Sequence, residues 1–263
     1  MTERERENHS IVGAKSGGCE KQSGIKDPNR AVESILTAHA KAWLQELPEH
    51  FRATVEGITR DILTNHPDTL AGVVVGSLAE GVFDRFSDVD YLYVKDPMIP
   101  DDAIIQIRAR WPLSHFIVHS PENLERHFDN CSTMAWAIKK GVVIFDRNNL
   151  LDPFMQRRLE MPSREWMRSR LEYVGGWDED SRGLCHKMLE LGTLYLEILG
   201  VAPTTKHELR SEFLGRVKNE ALTEAMGIAT ERGTEKSALL EIQLQSLKKA
   251  VEILREKIEA SLF

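Results

Sequence analysis

Cysteine is scarce in this chain and never clustered. Cys19, Cys131 and Cys185 lie far apart and no CxxC pair occurs, which excludes a disulfide framework or a zinc knuckle and leaves isolated, reduced thiols. No stretch approaches the roughly 18 consecutive apolar residues that a membrane helix needs. An excess of basic charge is missing too. The 34 Lys and Arg stand against 41 Asp and Glu, a formal charge of −7, so duplex nucleic acid meets no whole-chain basic footprint. The opening segment MTERERENHS is charged and lacks the apolar core of a secretory signal. These absences lead to the expectation of a cytoplasmic protein. The nine histidines form no HExxH, the helical motif of zinc hydrolases. No internal repeat is visible, which sets solenoids and propellers aside.

What is present is the composition of a globular chain. Of 263 residues, 41% are hydrophobic and 29% charged, enough for one large or two modest cores. Residues 1–28 mix charges with Ser and Gly and end at Asp27-Pro28, the pattern of a flexible tail. From Ala31 to Leu47 apolar residues recur at helical spacing, and Pro48 ends the run. Phe51, Val55, Ile58 and Ile62 predict a second helix. LAGVVV (70–75), VDYLYV (89–94), HFIV (115–118) and GVVIF (141–145) read as strands, with helices over 103–110 and through Trp136. Beyond residue 151 the pattern is helical throughout. Met188, Leu191, Leu194, Tyr195 and Ile198 form one apolar face. Leu240, Leu244, Leu247, Val251, Leu254, Ile258 and Leu262 step by fours and threes, a stripe for packing on the helical region or, on a second reading, a homodimer seam. The expected class is α+β: a small mixed β-sheet domain over 29–150, then an all-α domain over 151–263.

Chemistry concentrates in VVVGSLAEGVFDRFSDVDYLYV, residues 73–94. A buried strand delivers Gly76 and Ser77 to its end. Glycine lets backbone approach a ligand closely. Backbone N–H groups and the Ser77 hydroxyl there suit phosphate oxygens, the more so if a helix begins at Leu78. Asp88 and Asp90 flank Val89 at the start of the next strand, where residues i and i+2 face the same way. Two carboxylates so placed repel unless a cation sits between them, and Mg²⁺ on nucleotide phosphates suits hard oxygen ligands. Arg85, in the intervening loop, places a cation near a triphosphate.

The strand, the GS pair, the ten-residue gap and the DxD strand together resemble the signature of the DNA polymerase beta-like nucleotidyltransferase superfamily, and within it the minimal and antibiotic-type nucleotidyltransferases. The resemblance implies a nucleotidyltransferase domain that transfers a nucleoside monophosphate, AMP from ATP, to a hydroxyl of a small-molecule acceptor. It implies Asp88 and Asp90 as catalytic residues and Mg²⁺ ligands, and Gly76, Ser77 and Arg85 as nucleotide contacts. The family pattern also calls for a third carboxylate on a later strand. Here that strand reads PLSHFIVHS (112–120), with no Asp or Glu near Ser114 to Ile117. Glu122 comes too late, Asp146 follows another strand, and His115 and His119 are the polar groups left. Two further readings follow: a nucleotide-binding relative with weak or lost catalysis, and a protein-modifying nucleotidyltransferase of the toxin–antitoxin type.

LYLEILGVAPTTKHELRSEFL (194–214) resembles the substrate-binding helical domains that accompany such catalytic domains, and the HEPN helical proteins. By that resemblance Lys206 reaches the nucleotide. Arg182 and His186 have only three residues between them, against the wider Arg–His spacing of HEPN ribonucleases. Asp178-Glu179-Asp180 reads as a solvated face or helix start.

Overall fold

A computed structural model describes residues 33–85, 87–97, 101–177, 180–232 and 240–263. The expected tail, Cys19, and Asp178 and Glu179 lie outside the described residues. Among the described residues a helical stretch at 33–35 comes first, then the helices α1 (Ala38–Glu46) and α2 (Glu49–Asn65). The sheet region follows as β1 (Ala71–Val75), α3 (Gly76–Ala79), β2 (Val89–Val94), α4 (Asp101–Arg110), β3 (Ser114–His119), α5 (Pro121–Asp129), α6 (Thr133–Lys140), β4 (Val142–Asp146) and α7 (Asp152–Gln156). After that the described residues are helical: α8 (Arg164–Gly175), α9 (Ser181–Ile198), α10 (Lys206–Arg216), α11 (Glu220–Arg232) and α12 (Glu241–Leu262). The fold is α+β, as expected. No helix among the described residues is long and apolar enough to cross a membrane.

The sheet order is β3-β2-β1-β4. β1 runs antiparallel to both β2 and β4, while β2 and β3 are parallel. α4 makes the crossover that a parallel pair requires. β1 is central and buried along its whole length, which explains why AGVVV is a continuous apolar run rather than an alternating one. Each strand divides its residues between two cores. Val74, Tyr91, Tyr93 and Ile144 pack with Val55, Ile58 and Ile62 of α2. Val73, Val75, Leu92 and Val94 pack on the other face, with Leu124, Phe128, Ala135 and Ile138 of α5 and α6. Each fully buried Val, Leu or Ile contributes roughly 1.5–3 kcal/mol. A third core, from Met167 to Leu262, is built by the helical part alone.

The first helix departs from expectation. The apolar spacing predicts one run from Ala31 to Leu47, yet the chain breaks at Leu36-Thr37. Thr37 caps α1 by accepting the Ala40 N–H at 3.0 Å. It also reaches β4, donating its N–H to Ile144 O at 2.9 Å and its hydroxyl to Val143 O at 2.7 Å. In α12, Leu247, Leu254, Ile258 and Leu262 of the expected stripe are buried in the helical core. Leu240, by contrast, stands exposed as the N-cap.

Candidate active site

The site is assembled where β1 ends and β2 begins. Gly76 leaves β1 with φ +73, a region closed to most side chains. A Cβ on Gly76 would lie 2.6 Å from Asp90 Oδ2, so glycine is what allows the turn and the carboxylate to share this space. The antiparallel register pairs Val75 with Asp90. The parallel register pairs Asp90 with His115. Gly76, Asp90 and His115 are therefore neighbours by strand pairing alone, and Asp88 joins them from two residues upstream.

The imidazole of His115 sits against both carboxylates. Nδ1 lies 3.3 Å from Asp90 Oδ1, and Nε2 lies 3.6 Å from Asp88 Oδ2. The Asp90 hydrogen bond raises the His115 pKa; burial opposes it, the charges of Asp90 and Asp88 add to it, and Lys206 opposes it. On β3, Ser114 and Phe116 turn into the core and His115 stays exposed. This is the alternation expected of the strand, with His115 on the face that meets the site.

The other candidates for a third acid are elsewhere. Asp146 pairs with Ala71, at the far end of β1 from Gly76. Its carboxylate accepts the Leu151 N–H at 3.0 Å, and burial pushes its pKa up. Glu122 lies in the first turn of α5, beyond the far end of β3. His119 pairs with Val94 there. Its ring stands 4.7 Å from that of His127, and burial and its neighbour lower its pKa to about 4.

Ser77 lies half-buried in α3, and Arg85 is exposed in the loop before β2. Lys206 is the exposed first residue of α10. Its positive charge acts to lower the pKa of His115, Cys185 and His186. Asp180 caps α9 by accepting the Gly183 N–H at 2.6 Å. Arg182 is exposed on the same helix.

Among the described residues no group of three or more His, Cys, Asp or Glu side chains is arranged to hold a metal ion. The two nitrogens of His115 face different carboxylates rather than one shared point. Asp88 and Asp90 carry the hard oxygen donors that Mg²⁺ takes by its chemistry.

Sequence reading missed a polar cluster beside the site. Lys140, at the end of α6, donates to Glu208 Oε1 and Oε2 at 3.0 and 2.8 Å. It also lies 3.6 Å from Glu80 Oε2. Thr204 donates through its hydroxyl to Glu80 Oε1 at 2.5 Å and through its N–H to Glu208 Oε2 at 2.9 Å. The only local signal was Thr205-x-x-Glu208, which marks a helix start and is silent on distant partners.

No protein-family model matches the sequence, and no curated protein matches it. The fold is nevertheless a nucleotidyltransferase-like one. A spectinomycin adenyltransferase from Enterococcus faecialis, crystallised with ATP and spectinomycin, superposes with a TM-score of 0.53 at 13% identity, over 78% of this chain and 97% of that one.

Proposed function

We propose that this protein is a nucleotidyltransferase that moves AMP from ATP to a hydroxyl of a small-molecule acceptor. The observation that carries the reading is the Gly76 turn lying against Asp90, with Asp88 alongside. This is a backbone concavity for phosphate next to paired carboxylates for a cation. The likeness to an adenyltransferase that was crystallised with ATP supports it. Gly76 and Ser77 seat the phosphates, and Arg85 and Lys206 face their charge. Asp88 and Asp90 hold Mg²⁺, which when bound neutralises charge on the phosphates. The acceptor oxygen attacks the α-phosphorus, the bond to the β-phosphate oxygen breaks, and pyrophosphate leaves. The acceptor proton passes to solvent water or to the departing pyrophosphate as the new O–P bond forms. The rate gain comes mainly from alignment and electrostatics. Residues 29–150 form the nucleotide-handling unit, and the acceptor binds against residues 151–263.

His115 favours a second reading. It stands where the family pattern expects an acid, and imidazole is a weaker partner for Mg²⁺ than a carboxylate. A nucleotide binder with little turnover has this site. Labelled ATP, Mg²⁺ and an acceptor panel separate the two. Pyrophosphate release that depends on an acceptor supports the transferase. Tight Mg-ATP binding with no release under any acceptor supports the binder. Unaltered ATP binding and turnover in Asp88→Asn would sink the site assignment in both.

A further inference from the structure

Helix α6 is eight residues long, and both of its ends are tied to the helical part. At its start the Thr133 hydroxyl donates to Glu197 Oε1 at 2.7 Å, and Arg170 Nη1 donates to the same carboxylate at 2.7 and 2.9 Å. At its end Lys140 Nζ donates to Glu208 and, at 3.0 Å, to the Thr204 hydroxyl. It also stands 3.6 Å from Glu80. An ammonium has three donors, and three side chains surround this one.

The partners are not arbitrary in sequence. Glu80 closes α3, three residues past Ser77. Thr204 and Glu208 bracket Lys206: Thr204 lies just before the N-cap Thr205, and Glu208 is in the first turn of α10. Lys140 therefore joins the turn that would seat phosphate to the helix that presents Lys206. Isolated exposed ion pairs contribute little. This cluster is a network of four groups whose charged side chains are only 33% (Lys140), 18% (Glu80) and 32% (Glu208) exposed. Such networks hold geometry better than single pairs do.

We infer that Lys140 is a positioning residue, which sets the separation between the Gly76–Ser77 turn and Lys206. Its effect on nucleotide affinity rests on the nucleotidyltransferase reading; its effect on the separation does not. The experiment measures both. Spin labels are introduced through a non-natural amino acid at exposed Val82, just past α3, and at exposed Leu214 on α10. Pulsed electron resonance then reads their distance distribution in the full chain. One narrow distribution is expected in the parent, a broadened or shifted one in Lys140→Met, and the narrow one again in Lys140→Arg. Calorimetry with Mg-ATP should show binding weakened roughly fivefold in Lys140→Met, the loss of about 1 kcal/mol of positioning. In a Lys206→Ala background the same change should cost nothing more, because the group it positions is gone. Identical distance distributions in the parent and Lys140→Met overturn the inference, as do fully additive effects of Lys140→Met and Lys206→Ala. If the parent binds no ATP, the nucleotidyltransferase reading falls, and the distances alone decide the role of Lys140.

Discussion

Single residues set the shape of the site more tightly than their chemistry suggests. Gly76 is the clearest case. An alanine there carries the left-handed backbone penalty of roughly 1–2 kcal/mol and drives a methyl group onto Asp90 Oδ2. Gly76→Ala is therefore expected to lower the free energy of urea unfolding by roughly 1–2 kcal/mol, moving the midpoint down, and to weaken Mg-ATP binding as well. Loss of stability with unchanged nucleotide affinity would separate Gly76 from the site. His115 offers a gain rather than a loss. His115→Asp puts a carboxylate opposite Asp90, where β3 already aims its exposed side chain. Mg²⁺-dependent ATP binding should tighten about tenfold, equivalent to ~1.4 kcal/mol, in a calorimetric titration at fixed ATP. An unchanged Mg²⁺ dependence would mean that this position does not reach the metal. DxD and GS were legible in the sequence because both depend on local spacing. Lys140 and Glu80 were not, because their partners are set by packing between distant segments.

At the scale of elements, strands were easier to read than helix ends. The apolar runs at 70–75 and 89–94 became β1 and β2 within one residue, because buried strands need β-branched residues. The predicted helix from Ala31 failed at Thr37 because the residues that decide it, Val143 and Ile144, lie more than a hundred positions away. The junction of β3 with α5 carries its own prediction. His119 and His127 face each other there, their rings 4.7 Å apart, and burial pushes the pKa of both down. The Ser132 hydroxyl stands 2.9 Å from His127 Nδ1, Trp166 meets the His127 ring edge-on, and Arg126 adds a positive charge. A histidine whose folded pKa is depressed favours folding fully above its unfolded value near 6.5, and that contribution is lost as pH falls through the folded value. Stability should thus decline between about pH 6.5 and pH 4. The loss from His119 alone is about 1–2 kcal/mol by pH 5. Urea unfolding at pH 7 and pH 5 checks this, with His119→Phe expected to flatten the difference. An equal acid loss in that variant would assign the effect elsewhere.

For the whole molecule, the joint between the sheet region and the helices rests on buried charge as well as apolar contact. The Glu197 side chain is fully buried and is held by Arg170 and Thr133. Removing the cation leaves an uncompensated carboxylate, at a cost of roughly 3–5 kcal/mol. Arg170→Met should lower thermal stability by that amount, while the double variant Arg170→Met with Glu197→Leu should recover most of it. No recovery would mean that the pair carries geometry rather than charge balance. The strand order has a consequence of another kind, in the sequence of synthesis. β1 is the centre of the sheet, yet its partner β4 begins 67 positions after β1 ends. At about 5–20 residues per second, the growing chain holds an unpaired Val73–Val74 edge for several seconds before Val142 and Val143 arrive to cover it. During that interval the nascent protein is a one-sided ribbon, and chaperone capture and premature association compete for the edge that β4 later closes.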